Sequence, residues 1–183
     1  MKTILFATGN PRKLAEATAA GGAFDIHVSA AHIEIDEIQS SDVDAVARHK
    51  VEAAFSWTRG PVVINDTAWN IPALRGFPGA YMKEVQHWFD AEDFARLMKG
   101  KNKRVCMAES IVYRDEKLSR VFTREYWGEF IDKPRGGGTS IEQIVAFNGV
   151  TIGEQHDRGL FLYDPKDYVW SDFAKWFADR LSR

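Results

Sequence analysis

The chain opens with an apolar run that gives way within three residues to a segment rich in helix formers. Residues 3–7 form the run, Thr8-Gly9-Asn10 interrupts it, and the helix formers of residues 12–20 follow. Asn10 suits an N-cap, and Pro11 suits the first helical position, where its missing N–H donor costs nothing. The pattern predicts a strand, a tight turn and a helix.

Further elements follow from apolar spacing and from glycine and proline signals. Helices are predicted over residues 41–55, 81–98 with a break near Asp90, and 168–181. Strands are predicted over residues 24–29, 61–64, 104–114, 120–130 and 141–147, and the third and fourth of these should form an antiparallel ribbon. Gly136-Gly137-Gly138 is interpreted as a flexible connection.

Composition excludes several classes of protein. The 183 residues are 45% hydrophobic, enough to bury the core of one globular domain or of two closely packed lobes. A formal charge of -2 provides no basic field for nucleic acid. The single cysteine, Cys106, excludes a disulfide framework within one chain. The apolar start is too short for a signal peptide and no stretch suits a membrane span, so a cytoplasmic protein is expected.

The turn before the first helix is a candidate anion site. Backbone N–H groups left free by the turn and the helix start would lie beside Lys13, one turn into the helix. The segment lacks the glycine spacing of a Walker loop. A capped surface helix is the alternative interpretation.

Two acidic positions are candidates for metal binding. Residues 34–39 could bring carboxylates beside a phosphate-bound cation, although a solvated acidic loop has the same composition. Asp66 is expected where an apolar strand ends, a common place for ligands, although it could simply begin a turn. Lys50 projects a cation from the apolar stripe of its predicted helix.

In their order along the chain, these segments resemble the inosine triphosphate pyrophosphatase family, which removes non-canonical purine triphosphates. The family's Thr/Ser-Gly-Asn-x-x-Lys motif is similar to residues 6–16, FATGNPRKLAE. Its Pro-Glu-Ile-Gln segment is similar to residues 35–40, IDEIQS. Its Asp-Ser/Thr and Gly-x-Pro-Gly-x-Tyr segments are similar to residues 62–67, VVINDT, and 73–81, ALRGFPGAY.

The resemblance implies a fold and an activity. The fold would be α/β, an elongated mixed sheet with flanking helices and two lobes around a central nucleotide cleft, and residues 1–183 would form one such domain. The activity would be hydrolysis of a nucleoside triphosphate to the monophosphate and pyrophosphate, with Mg²⁺ or Mn²⁺ as cofactor. A homodimer is expected, and neither nucleic acid nor membrane is expected as a partner.

The resemblance also implies roles for individual residues. Asp66 and Lys13 would be catalytic, and Glu37 and Asp66 would hold the metal. The remaining residues share contact with the substrate: they are Thr8, Gly9, Asn10, Lys13, Lys50, Thr67 and Lys83.

Departures from the family pattern concern the metal and the base. Asn65 stands where the family has a first acidic residue, and residues 137–143 replace its Phe-Gly-Tyr/Trp-Asp-Pro segment. Gln143, Asp172 and Phe173 align with the lost base-reading groups. A carboxylate there would accept from an amine, so we predict no strong preference for inosine and xanthosine triphosphates. Altered base specificity, including pyrimidines or modified bases, and a catalytically weak nucleotide-binding regulator remain the alternatives.

Overall fold

The computed structural model describes residues 2–160 and 164–180, and within these ranges the chain forms both helices and strands. The strands are β1 (Lys2–Ala7), β2 (Ile26–Ala31), β3 (Val62–Asn70), β4 (Pro78–Gly79), β5 (Arg104–Arg114), β6 (Ser119–Phe130), β7 (Val145–Phe147) and β8 (Val150–Thr151). The helices are α1 (Pro11–Gly22), α2 (Val43–Thr58), α3 (Met82–Trp88), α4 (Ala91–Leu97), α5 (Ser140–Ile144), α6 (Ile152–Asp157) and α7 (Val169–Arg180).

The strands form one mixed sheet, which confirms the predicted α/β class. Hydrogen bonds join them in the order β2-β1-β3-β5-β6-β7-β8, and β4 pairs with β3. β1 is parallel to β2 and β3, with Leu5 opposite Val62, whereas β7 is antiparallel to β6 and β8. β5 and β6 are joined by a short turn, in which Asp115 N–H donates to Leu118 O, so they form the expected antiparallel ribbon.

The chain divides into two compact units. Among the described residues, the first unit contains 2–66, 109–124 and 164–180, and the second contains 67–108 and 125–160. β3, β5 and β6 contribute residues to both. None of the described helices combines the length and the apolar character that crossing a membrane requires.

The core of the first unit is built on α2, β3 and the C-terminal helix. The face of α2 that carries Val51 and Ala54 packs against Val62 and Ile64 of β3. Phe6 of β1 meets Trp170 of α7 edge to face, with ring centroids 4.7 Å apart. This packing holds the carboxyl end of β1, and therefore the turn that follows it, in a fixed position.

The core of the second unit includes an aromatic group around Phe94 of α4. Its ring lies 5.4 Å from that of Phe89 and 6.0 Å from that of Phe130. Gly136 and Gly153 allow two backbone segments to touch, because a Cβ on Gly136 would collide with the backbone of Gly153. The three glycines interpreted as a flexible connection are thus a packed junction.

Two other predictions about local structure are wrong. Asp66 does not end its strand: β3 continues to Asn70, because Ala68 and Trp69 are buried and Trp69 pairs with Gly79 of β4. The strand predicted over 141–147 begins instead as α5, whose first turn is closed by a capping box between Thr139 and Glu142. The short elements β8 and α6 were not predicted.

The other predicted elements are confirmed to within a few residues. Asn10 caps α1, and Pro11 is its first residue. The break near Asp90 is the N-cap of α4. α7 ends at Arg180 among the described residues, and the predicted end at Leu181 lies outside them.

A hydrogen-bond network around the partly buried Asp115 fastens α7 to the turn between β5 and β6. Asp115 accepts hydrogen bonds from Tyr113 Oη at 2.8 Å, from Arg180 at 2.6 Å, and from the N–H groups of Lys117 and Leu118 at 2.8 and 2.9 Å. Burial alone would raise the pKa of Asp115, but these donors lower it to about 2.

We expect Asp115→Asn to lower the free energy of unfolding by about 1–3 kcal/mol at neutral pH, because a charged acceptor of several hydrogen bonds is lost. The folded-state pKa lies below the unfolded value of about 4. The contribution is therefore complete above about pH 4 and is lost as the pH falls toward about 2. Urea unfolding measured between pH 7 and 3 should show that the difference in unfolding free energy between wild type and Asp115→Asn decreases as the pH falls.

Asp132→Asn is the control, because the Asp132 side chain is 88% exposed in its pair with Lys103. It should leave the unfolding midpoint nearly unchanged. A gap between wild type and Asp115→Asn that is constant over this pH range would contradict the account.

Candidate active site

The turn after β1 is closed by its own side chains. Thr8 Oγ1 accepts from Asn10 N–H at 3.0 Å. Asn10 Oδ1 accepts from the N–H groups of Arg12 and Lys13 at 3.0 and 3.3 Å. The prediction that the first amides of the helix are free is therefore wrong, because the N-cap side chain satisfies two of them. Binding an anion at these amides would require Asn10 to turn aside.

A lysine bridges the two carboxylates that were assigned to the metal. Lys50 Nζ lies 2.9 Å from Glu37 Oε1 and 3.2 Å from Asp66 Oδ1. α2 directs Lys50 toward β3, and Ile33 and Ile35 anchor the loop that carries Glu37 on the core of the first unit. The structure thus brings together three predicted residues that are distant in the chain.

The charge on Lys50 is supported by both neighbours. Burial lowers its pKa, but the carboxylates of Asp66 and Glu37 outweigh that effect and raise the pKa of Lys50 above its usual value. The Lys50 and Asp66 side chains are each 19% exposed, so the pair is shielded yet open on one side. Lys50 is therefore a cation at neutral pH.

Lys13 of α1 reaches the same part of β3. Its Nζ donates to the backbone oxygen of Asn65 at 3.4 Å. Burial lowers the pKa of Lys13 below its usual value, and the carboxylates of Glu109 and Asp66 oppose this effect without cancelling it. Lys50 thus pairs with Asp66 directly, and Lys13 donates to the backbone of the residue before it.

Two buried side chains beside Lys13 were not predicted to have a role. Asn65 is 7% exposed, and among the described residues its Oδ1 and Nδ2 have no hydrogen-bond partner. Glu109 on β5 is equally buried, and its Oε2 has no partner in the described part of the chain. A carboxylate inside the apolar run of β5 is the signal that could have identified Glu109.

Three other residues are predicted to contact the substrate, and the structure gives their positions. Gly9 lies in the turn between Thr8 and Asn10, as expected. Thr67 follows Asp66 on β3 and belongs to the second unit, as does Lys83, which is exposed near the start of α3. The roles of all three stay predictions.

Glu37 and Asp66 form a donor set that suits magnesium. Within the described residues no group of three or more His, Cys, Asp or Glu side chains could hold a metal ion. Mg²⁺, however, is usually held by one or two carboxylates, with phosphate oxygens and water as its other ligands. The residues present therefore fit a cation that arrives with a phosphate.

The residues that aligned with the lost base-reading groups are occupied elsewhere. Arg124 forms a bidentate pair with Asp172, with nitrogen–oxygen distances of 2.6 and 2.8 Å. Phe173 is buried between Trp170 and Phe177. The carboxylate predicted to accept from an amino-bearing base is thus already neutralised, and the predicted base preference loses its physical basis. Gln143 donates to Gly138 O at 2.9 Å within the second unit.

Comparison with known proteins identifies a family to which the sequence is similar. A model of the Ham1 family matches residues 4–144. An inosine triphosphate pyrophosphatase of Ajellomyces capsulatus is 43% identical over 183 residues, covering 98% of this chain and 87% of the relative. A dITP/XTP pyrophosphatase of Methanosarcina acetivorans is 27% identical over 183 residues, covering 98% and 100%.

Solved structures share the fold. A HAM1 protein from Coxiella burnetii superposes with a TM-score of 0.73 at 18% identity, covering 100% of this chain and 99% of that one. The Staphylococcus aureus Ham1 protein also gives 0.73 at 18%, covering 98% and 100%.

The double capping role of Asn10 leads to a prediction. Asn10→Ala should lower the free energy of unfolding by about 1 kcal/mol, because two amides of α1 lose their acceptor. Asn10→Asp should keep the stability, since a carboxylate caps as well, but should weaken binding of pyrophosphate through charge repulsion. Thermal unfolding and calorimetric titration measure the two effects. Equal stability of the alanine and aspartate variants would show that the cap contributes nothing.

Proposed function

Because the chain belongs to the Ham1 family, we propose that it hydrolyses nucleoside triphosphates that carry a non-canonical purine, releasing the monophosphate and pyrophosphate. The relatives named above are inosine triphosphate and dITP/XTP pyrophosphatases. A homodimer and a cytoplasmic location are part of the proposal and rest on the resemblance of the sequence to this family.

The observation that carries the proposal is that Lys50 pairs with Asp66 while Lys13, on the helix that follows the capped turn, donates to the adjacent Asn65. Hydrolysis of a phosphate anhydride requires positive charge near the phosphates and an acceptor for the proton of water. The two lysine side chains supply the first requirement, and the carboxylate of Asp66 supplies the second. A site without the lysines would repel its substrate.

The reaction proposed is attack of water on the α-phosphorus. Asp66 accepts a proton from the water as the new oxygen–phosphorus bond forms. The bond between the α-phosphorus and the bridging oxygen breaks, and the electron pair leaves with pyrophosphate. Lys13 and Lys50 offset the charge that accumulates on the leaving group.

Glu37 and Asp66 are the residues proposed to hold magnesium. When bound, the cation supplies positive charge to the phosphate oxygens. Lys50 already holds the two carboxylates near each other, so little rearrangement of the chain is needed to present both to a cation. Mn²⁺ would bind to the same two carboxylates.

The proposal is tested by identifying the products. Purified protein is incubated with inosine triphosphate, with and without Mg²⁺, and the products are separated by chromatography. Monophosphate and pyrophosphate that form only with the cation are the expected result. Orthophosphate with a diphosphate, or full activity in excess chelator, would refute the mechanism. Binding without turnover would favour the regulatory alternative.

Replacing the proposed base gives a sharper prediction. Asp66→Asn should reduce turnover by at least about a hundredfold, as expected when a positioned base is lost. Asp44→Asn is the matched control, because the Asp44 side chain is 70% exposed on α2, and its activity should equal that of wild type. Steady-state assays and thermal unfolding are measured on both. An Asp66 variant that is folded and nearly as active as wild type would exclude the assignment.

The purine preference can be measured directly. With Asp172 neutralised by Arg124, no carboxylate at position 172 remains to favour an amine at C6. Because the relatives are inosine triphosphate and dITP/XTP pyrophosphatases, we expect kcat/KM for inosine triphosphate to exceed that for adenosine triphosphate by more than about a hundredfold, the scale of a site built around one hydrogen-bonding pattern. Competition assays with both nucleotides, in ribose and deoxyribose forms, provide the ratio. A ratio near one would restore the alternative of relaxed base specificity.

A further inference from the structure

Lys50 occupies both carboxylates that the proposed function assigns to the cation. Its Nζ lies 2.9 Å from Glu37 Oε1 and 3.2 Å from Asp66 Oδ1, and both distances are those of hydrogen-bonded ion pairs. A metal ion held by Glu37 and Asp66 needs oxygen atoms of the same two groups. The ammonium group and a divalent cation therefore compete for one set of ligands.

The position of Lys50 on α2 explains why its side chain is there. Val46 and Ala54, one turn before and one turn after Lys50, are both buried, so the lysine leaves the helix from its buried side. Placing a charge there is costly unless carboxylates compensate it. An uncharged side chain would avoid that cost, but it would leave Glu37 and Asp66 to repel each other.

A lysine suits a temporary occupant of such a site. Its ammonium group is a point charge on a flexible stem of four carbons, whereas the guanidinium of an arginine is a planar fork that holds a carboxylate by two hydrogen bonds. The Lys50 side chain is 19% exposed, so the pair is open to solvent on one side. Rotation about the bonds of the stem can therefore carry the charge toward a ligand that arrives from that side.

We propose that Lys50 is an internal substitute for the divalent cation, which neutralises Glu37 and Asp66 in the free protein and turns to the phosphate when cation and phosphate bind together. This role rests on the proposed function, because it takes the two carboxylates as ligands of the cation. Each ligand then helps the other to bind. A cation alone frees Lys50 without giving it a new partner, and a phosphate alone draws Lys50 away from carboxylates that repel that phosphate.

The exchange is observed most directly on the wild-type protein. A reagent that acylates lysine amines is applied to the free protein, to protein saturated with Mn²⁺, and to protein with Mn²⁺ and pyrophosphate. Mass spectrometry then measures the labelling rate of each lysine. Lys50 should react slowly in the free protein, about fivefold faster with Mn²⁺ alone, the scale of one broken ion pair, and slowly again with both ligands. Lys117, exposed in the turn between β5 and β6, is the reference and should react at a constant rate.

The labelling experiment has two outcomes that would overturn the exchange. If saturating Mn²⁺ leaves the labelling rate of Lys50 unchanged, the ion pairs persist beside the cation and Lys50 is no substitute for it. If Lys50 still reacts rapidly when pyrophosphate is added to the Mn²⁺ complex, the released ammonium group does not turn to the phosphate.

The variant Lys50→Met tests the competition, because it keeps an unbranched side chain and removes the charge. Isothermal titration calorimetry with Mn²⁺ alone should show an affinity about five- to tenfold higher than that of wild type, the scale of one unit charge at short range in a partly solvated site. Without metal the variant should unfold at a lower temperature than wild type, because its carboxylates are uncompensated. A purely structural role would lower stability and Mn²⁺ affinity together, and that result would overturn the inference.

Arg48→Met is the matched control, because it removes the same charge from the same helix at a side chain that is 58% exposed. Its affinity for Mn²⁺ should equal that of wild type. If Arg48→Met binds Mn²⁺ as tightly as Lys50→Met does, the effect comes from net charge and not from competition at the carboxylates, and the inference is overturned.

Failure of the variant to fold leaves the question testable. Lys50→Gln keeps a donor for the carboxylates and is measured in the same way, and the labelling experiment needs no variant. Pyrophosphate release from inosine triphosphate by the wild-type protein with Mg²⁺ is assayed in parallel. An inactive wild type refutes the proposed function, whereas an active wild type in which Mn²⁺ never releases Lys50 refutes only the exchange.

Discussion

Two lysine side chains held below the surface of the first unit dictate the arrangement around them. A lysine loses hydration when it is buried and keeps its charge only beside a carboxylate. Lys50 meets this condition between Glu37 and Asp66. For Lys13 the carboxylates of Glu109 and Asp66 act in the same direction, but burial outweighs them and leaves its pKa below the usual value. The order of the strands allows this arrangement. β3 lies between β1, which leads into the helix of Lys13, and β5, which carries Glu109.

The local part of this arrangement could be predicted from sequence. Capping and the place of proline depend on a few consecutive residues, so Asn10 and Pro11 were identified correctly. Lys50 was noticed because a cation interrupted an apolar stripe. Glu109 was missed because the surroundings of its side chain are set by the order of the strands, which local sequence patterns do not reveal.

The incorrect predictions also arise from contacts between residues that are distant in the sequence. Polar Asn65 and Asp66 suggested that β3 ends there, but the strand continues because pairing with β4 and burial of Trp69 favour extension. Similarly, the sequence predicts a free acceptor at Asp172, whereas in the structure Arg124 donates to that carboxylate. In each case a contact remote in sequence outweighed a local preference, and such contacts are invisible to a pattern read along one chain.

The contact between the backbones at Gly136 and Gly153 has a consequence for how natural variants should be interpreted. At Gly136 the positive φ of 75° adds to the absence of room for a Cβ, so even alanine would force the two segments apart. Such a substitution would lower the yield of folded molecules, but it would not change the chemistry of each folded molecule. A cell carrying such a change would be short of enzyme, although every molecule that folded would work at its normal rate.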